Sequence, residues 1–463
     1  MTTSQHAPAA DFSLPNLLGK TLPCTCGVQH TVPTQAVILA AAGLEQLPAC
    51  CAQYMPGRHV LVVDDETTHH IAGRRVTALL RQADYGVAGL TLPLPVGGHL
   101  VANDETVATV WAAIRPEVDF LVAVGAGTVN DVTKLASFQA NLPYLVCPTA
   151  LSMNGYTSAI SAILSKGVKR TIPARPAVAV VMDVDVLGTA PVAMTRAGLG
   201  DMLSKPVSTA DWKLAHLLKG EYYCDVPLRI VEHAEHTCRA SAMAIGQGTP
   251  AGLQALAEAL LLSGISMVVA GSSSPASGAE HLLSHYWDMT AHWHGRQEHF
   301  HGAQVGVATL VTATLYEKLR QLDPGTIDLA RLRRQYPAWH TQEHAMRRVH
   351  GALADEVVAE ARKKYLPLAA KEQEWAFVRT HWHQLWQELD AILLPAHTMR
   401  DVLRAAGAPT TIRELGISVT ELRTAFLHAR DIRGRYTVLD LAHDLGVLAA
   451  WCDEVLAQSG VLD

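Results

Sequence analysis

Up to about residue 188 the chain alternates short runs of contiguous apolar, often β-branched residues with stretches patterned at helical spacing. The runs are HVLVVDD, GLTLPLP, DFLVAVGAG, PYLVCPT and AVAVVMDVD, and a helix is predicted from Asn130 to Gln139. Strands apolar on both faces and separated by helices predict a parallel sheet covered on each side, which binds ligands at the carboxyl ends of its strands. From about Pro191 these runs stop, and Ala, Leu, Glu, Arg and His recur at helical spacing, broken by Gly or Pro as in a helical bundle. The expected organisation is an α/β domain over residues 1–188, then an all-α domain over 189–463 that includes a C-terminal helical extension. The most apolar stretch, ALLLSGISMVVAG, is too short to span a bilayer and reads as a buried helix.

Composition narrows the partners. Charged residues make up 17% of the 463, apolar ones 49%, and the net charge is -6, so nothing draws the chain to nucleic acid or an anionic membrane. A small-molecule partner is expected. The eight cysteines are too sparse for a disulfide scaffold and fit a reducing compartment. CTCGVQH offers Cys24, Cys26 and His30 to a metal, but its spacing is not that of a zinc knuckle, and it is read as a structural segment. MTTSQHAPAADFSLP has neither a cationic start nor an apolar core, so a cytoplasmic location is expected rather than secretion.

Two regions carry candidate chemistry. In FLVAVGAGTVNDVTKLASF a buried strand is predicted to end at Val124, followed by a turn with Gly125 and Gly127 and a helix near Asn130. Glycines there let backbone approach a pyrophosphate, and a helix N-terminus offers unpaired N–H groups. Asp64 and Asp65 end another strand, where a carboxylate accepts from both adenosine ribose hydroxyls and repels a 2′-phosphate, which favours NAD(H) over NADP(H). CPTALSMNGYTS is rich in hydroxyls and small residues, as suits a loop beside a nicotinamide.

The second region is dense in histidine. In SGAEHLLSHYW, Ser277 and Glu280 have capping-box spacing, so His281 lies in the first helical turn with His285 one turn on along the same face. His301 opens FHGAQVGVATL, whose Gly302, Ala303, Gly306 and Ala308 allow close helix packing. AGLGDMLSK places Asp201 between a glycine turn and a helical run. One carboxylate and two imidazoles suit a divalent transition metal that keeps positions open for substrate. His292, His294 and His299 are read as incidental.

The stretches GAGTVND, PTALSMNGYTS, AGLGDMLSK followed by ADWKLA, PASGAEH and HGAQVGVAT occur in this order. In order and spacing the chain resembles the sn-glycerol-1-phosphate dehydrogenases, most closely the bacterial AraM type, within the superfamily of iron-containing alcohol dehydrogenases, glycerol dehydrogenase and dehydroquinate synthase. The resemblance covers roughly residues 20–320, and the ending RYTVLDLAHDLGVL also looks like the bacterial members. It implies a dehydroquinate synthase-like fold, an N-terminal Rossmann-like α/β domain with a helical C-terminal domain. It implies NAD(P)H-linked, reversible reduction of dihydroxyacetone phosphate to sn-glycerol 1-phosphate. Asp201, His281 and His301 would hold the metal, which is zinc in archaeal members, nickel in a bacterial one and iron elsewhere in the superfamily. Gly127, Thr128, Val129, Asn130, Asp131, Thr149, Ala150, Leu151, Ser152 and Ser158 would line the NAD(P) site, with Asp65 at the ribose, and His285 and Asp201 would lie against substrate. A homodimer or larger assembly is expected, with the helical C-terminal third as its interface.

Three departures bear on substrate. Asn154 stands where the family's loop has an aspartate, and it keeps the shape without a carboxylate's charge; Pro206 replaces an aromatic residue, and Ser274 an arginine. The alternatives are a dehydrogenase of the same fold acting on another small polyol or on a phosphorylated or phosphonylated alcohol, and a non-catalytic nucleotide-binding relative. A dehydroquinate synthase-type cyclase is disfavoured, because that group uses Glu where Asp201 stands.

Overall fold

The computed structural model describes residues 12–95, 98–293 and 299–463. Six strands form one parallel sheet: β3 (Ala36–Ala40), β4 (His59–Asp65), β5 (Gly86–Leu92), β6 (Phe120–Gly125), β7 (Tyr144–Pro148) and β10 (Ala179–Asp183). Two antiparallel hairpins stand apart, β1 (Thr21–Leu22) with β2 (His30–Thr31), and β8 (Ile160–Ser165) with β9 (Val168–Pro173). Alternation along the central strands shows why the sheet is buried on both sides. Val60, Val62, Phe120, Val122 and Val124 pack on one face against Leu47, Cys51, Val76 and Leu80. Leu61, Val63, Leu121, Ala123 and Val146 point the other way, into a core that continues without a break through the helical half.

Strand order is β3-β10-β7-β6-β4-β5. The chain passes from β4 to β5 in one direction and then crosses back to place β6 on the other side of β4, so the sheet's switch point lies between β4 and β6. A crevice at such a point is where parallel sheets receive ligands. Register pairs Val63 with Ala123, which sets Asp65 and Gly125 level at its mouth.

From Val192 onward the described residues hold helices. The apolar stretch proves longer than its sequence pattern indicates, because it belongs to a 21-residue helix, Pro250–Ala270, long and apolar enough by length and composition to cross a membrane. In the fold 78% of its most apolar window is buried, so its hydrophobicity serves the core. Two local expectations need correction. Asp201 does not follow a glycine turn; Gly198 and Gly200 lie inside the helix Val192–Leu203. They are glycine because a Cβ at Gly198 would stand 2.0 Å from the Leu151 carbonyl oxygen, and one at Gly200 2.3 Å from that of Gly302. The second helix is His301–Arg320, and close approach at Gly200 and Gly302 brings Asp201 beside His301. The helix after β6 also starts earlier than expected, at Gly127, leaving Ala126 alone as the connection.

Candidate active site

The β6 turn is tight because its glycines make room. A Cβ on Gly125 would fall 2.6 Å from Cβ of Val129, and one on Gly127 3.2 Å from Cγ of Met153. The N-terminus of the helix Gly127–Gln139 therefore opens toward the crevice with small residues at its tip. Asp65 Oδ1 caps the turn Glu66–Thr68 by accepting from the Thr68 N–H at 2.7 Å, while Asp64 turns inward to His69 at 2.9 Å.

Several of the other positions assigned to the nucleotide are committed to the frame. Asn130 is fully buried; its amide donates to Asp131 Oδ1 at 2.9 Å and its carbonyl accepts from the Tyr144 hydroxyl at 3.3 Å. Asp131 Oδ2 accepts from the Ala162 N–H at 3.1 Å. Val129, Ala150, Leu151 and Ser158 are buried, and Thr149 donates its N–H to the Gly125 carbonyl at 3.3 Å. Thr128 and Ser152 are half-buried. The Lys134 ammonium, buried and shifted below the usual lysine range by desolvation, donates to Gly155 O at 2.6 Å, Ile160 O at 2.9 Å and Ser158 Oγ at 3.2 Å. It ties the 149–158 loop to the helix beneath the crevice, and sequence reading missed it.

Across the crevice, Asp201, His281, His285 and His301 converge. Ring centroids of His281 and His301 lie 5.1 Å apart, those of His285 and His301 5.4 Å, and those of His281 and His285 6.0 Å. His281 Nε2 is 3.6 Å from Asp201 Oδ1. Asp201 is held from both sides: Lys205 Nζ donates to Oδ1 at 2.7 Å and the Asn154 N–H to Oδ2 at 3.1 Å. Burial opposes its charge, but Lys205 and the histidines outweigh that and keep the carboxyl far below the usual carboxylate range. The Asn154 amide is engaged with Ser263 Oγ at 3.0 Å, so this residue positions Asp201 through its backbone.

Hydrogen bonds orient the three rings. The Glu280 carboxylate accepts from His281 Nδ1 at 2.7 Å, and Nε2 of the same ring faces Asp201 Oδ1 at 3.6 Å. Ser284 donates its one proton to Gln304 Oε1 at 2.7 Å and so accepts from His301 Nδ1 at 3.1 Å; Nε2 of His301 is bare. His285 is the reverse. Its Nδ1 lies 3.4 Å from Arg433 Nη2, a group that can only donate, so the proton sits on Nε2. Burial pushes His301 down to about 3, and burial with the Arg433 charge pushes His285 well below the ordinary histidine range, so both rings are neutral near pH 7.

The helix bearing His281 and His285 starts at Ala279 rather than after a Ser277 cap: Asp211 Oδ2 accepts the Ala279 N–H at 2.7 Å and Glu280 Oε1 the Gly278 N–H at 2.8 Å. Glu280 thus serves His281 instead of a Ser277 capping box. His292 and His299 are exposed, and His294 lies outside the described residues. Lys169, Lys205, Arg433 and Arg435 were not singled out from sequence. Lys205 had a signal, four positions after Asp201, and Arg435 opens RYTVLDLAHDLGVL; Arg433 had none, since it comes from a segment far along the chain. Arg433 also donates to Thr171 Oγ1 at 2.6 Å, and Lys169 Nζ is 4.0 Å from Asp288. Arg435 reaches Ser273 Oγ at 2.8 Å, beside Ser274, where the family's arginine is absent.

A carboxylate and two imidazoles, each ring braced through its Nδ1, offer the donor chemistry that suits a divalent metal. Asp201 and the three imidazoles share one cleft with the end of the 149–158 loop, across from the glycine turn.

The profile of the iron-containing alcohol dehydrogenase family matches residues 39–191. The chain is 30% identical to a Bacillus licheniformis protein named glycerol-1-phosphate dehydrogenase (NAD(P)+), over 92% of this chain and 93% of that one. A Pyrococcus horikoshii protein of the same name is 36% identical over 60% of this chain and 78% of its own. In fold it is similar to a probable glycerol dehydrogenase from Sinorhizobium meliloti, with a TM-score of 0.56 at 18% identity, covering 91% of this chain and 98% of that one. The 30% identity to the Bacillus licheniformis protein over nearly the whole of both chains shows that this chain belongs to the glycerol-1-phosphate dehydrogenase family of oxidoreductases.

Proposed function

We propose that the protein reduces dihydroxyacetone phosphate to sn-glycerol 1-phosphate, reversibly, with a reduced nicotinamide dinucleotide and one divalent metal held by Asp201, His281 and His301. The observation that carries this reading is the convergence of Asp201 with three imidazoles, of which His301 donates from Nδ1 to Ser284 and leaves Nε2 bare while His285 presents Nε2–H. The cofactor supplies hydride, and the metal polarises the ketone and stabilises developing negative charge.

The chain's own groups do the rest. Lys205 and the Asn154 N–H hold Asp201 ionised and aimed. Glu280 and Ser284 fix the orientations of His281 and His301. His285 Nε2–H can donate to a substrate hydroxyl or pass a proton toward the oxygen that was the ketone. Arg433 and Lys169, on the far side of His285, suit the phosphate of a short substrate, Arg433 with a planar fork and Lys169 as a point charge. They supply cations that the Ser274 position lacks.

The dinucleotide would enter at the switch point, its pyrophosphate at the Gly125–Gly127 turn and its adenosine ribose at Asp65, whose Oδ2 is not used in the Thr68 cap. A carboxylate there favours NADH over NADPH. Metal-loaded protein should oxidise NADH with dihydroxyacetone phosphate, scarcely with free dihydroxyacetone, and yield a product refused by enzymes specific for sn-glycerol 3-phosphate. Equal turnover of both ketones would favour a dehydrogenase for an unphosphorylated polyol. No turnover, with metal and NAD bound, would refute the reading.

A further inference from the structure

A second group of metal-ligating side chains lies away from this cleft. The N-terminal hairpin brings Cys24, Cys26 and His30 together, and the fold adds Cys224, 200 positions after Cys24, from the turn between the helices Lys205–Lys219 and Asp225–Ala240. All four ligand atoms lie within 4.8 Å of one another. Cys24 Sγ to Cys224 Sγ is 3.5 Å, Cys26 Sγ to His30 Nε2 3.2 Å, and Cys224 Sγ to His30 Nε2 3.5 Å.

Those separations are the edges of a small tetrahedron. With Zn–S near 2.3 Å and Zn–N near 2.0 Å, tetrahedral zinc requires about 3.8 Å between sulfurs and about 3.5 Å from sulfur to nitrogen. A disulfide would need about 2.05 Å between sulfurs. Local backbone aims donors at the sulfurs: the Cys26 N–H points at Cys24 Sγ at 3.4 Å, and the Val28 N–H at Cys26 Sγ at 3.4 Å. Gly27 makes this turn possible with φ of +85°, where a Cβ would meet nothing within 4 Å, so conformation and not space calls for glycine. His30 and Cys224 are buried, with Trp212 and Ala270 packed about the cluster, while Cys24 and Cys26 are half-buried and leave a way in.

We propose that Cys24, Cys26, His30 and Cys224 form a closed tetrahedral site for structural zinc, separate from the Asp201 centre. Soft thiolates with one imidazole select zinc over the oxygen-preferring cations. The ion would staple the β1–β2 hairpin to the far end of the helix Lys205–Lys219. Lys205, at its other end about 22 Å away by helical rise, holds Asp201. With all four positions taken by protein, the site has no place for substrate and would stabilise instead of catalyse.

Metal analysis of the full-length protein, purified under reducing conditions with zinc, tests this. Wild type should carry about two equivalents per chain, Cys224→Ser about one with a lowered Tm, and Asp201→Ala about one. Cobalt replacement should give intense thiolate-to-metal charge-transfer absorption in wild type and Asp201→Ala. This holds even if Cys224→Ser fails to fold. Should the Asp201 centre bind no metal, wild type would hold one equivalent with the same cobalt band, which separates the two claims. Cobalt-loaded wild type without a thiolate band, a Cys24–Cys224 disulfide found by peptide mapping, or unchanged metal content in Cys224→Ser would overturn the proposal.

Discussion

Replacing Gly302 by Ala tests whether helix proximity builds the catalytic centre. A Cβ there would lie 1.9 Å from the Ala197 carbonyl oxygen, backbone that cannot swing aside, and 3.3 Å from Asp201 Cβ. Restoring ordinary contact at about 3.4 Å requires the helices Val192–Leu203 and His301–Arg320 to part by roughly 1.5 Å at that point. Overpacking of this kind destabilises by about 1–3 kcal/mol, partly offset by the ~1 kcal/mol that Ala gains over Gly within a helix. The larger effect falls on chemistry, because Asp201 and His301 sit on opposite sides of the wedge. A displacement near 1 Å in a reacting constellation lowers rate by about 100-fold. Gly302→Ala should therefore fold, bind NADH nearly as wild type does, hold the catalytic metal far more weakly and lose about 100-fold in kcat/KM. Gly89→Ala, on a strand where a Cβ meets nothing within 4 Å, is the control and should leave both unchanged. Metal titration and steady-state kinetics on the pair decide the matter. A Gly302→Ala protein with wild-type metal affinity and turnover would refute the claim that this contact aligns the ligands.

Other substitutions separate the parts of the site. Gly125→Ala, with its Cβ forced to 2.6 Å from Val129, should weaken NADH binding about 5- to 100-fold by fluorescence titration while metal content stays constant. Arg433→Met should raise KM for dihydroxyacetone phosphate by roughly 10- to 100-fold, the worth of a charge-assisted phosphate contact, while KM for free dihydroxyacetone stays unchanged. Lys134→Met strands the Gly155 and Ile160 carbonyls and should lower unfolding free energy by about 3 kcal/mol in denaturant titrations. His301→Ala should lose metal and turnover but keep NADH affinity.

Pattern along the chain carried the sheet and the helical half because strands buried on both faces cannot be anything but apolar, as β4, β6 and β10 show. It missed β3, because AVILA runs straight on into AAGLEQL at helical composition with no polar break, and it missed the β8–β9 hairpin, whose ISAILS and VKRTIP mix polar and apolar positions. AGLGD reads as a turn when its glycines are counted for flexibility; in the fold they are there for proximity, which only the partner helix reveals. The convergence of Asp201, His281, His285 and His301 was legible because few residue types can ligate a metal. Arg433, Lys169 and Glu280 were not, since each acts through a neighbour brought close by tertiary structure. Cys224 was invisible for the same reason, with 200 residues between it and Cys24.

Anomalous diffraction from crystals grown with NAD and a divalent metal tests the central claim most directly. The account predicts a peak bounded by Asp201 Oδ1, His281 Nε2 and His301 Nε2, with the nicotinamide ring between it and the Gly125–Gly127 turn. Density for NAD at that turn with no metal peak among those three atoms, under conditions where the enzyme turns over, would contradict it.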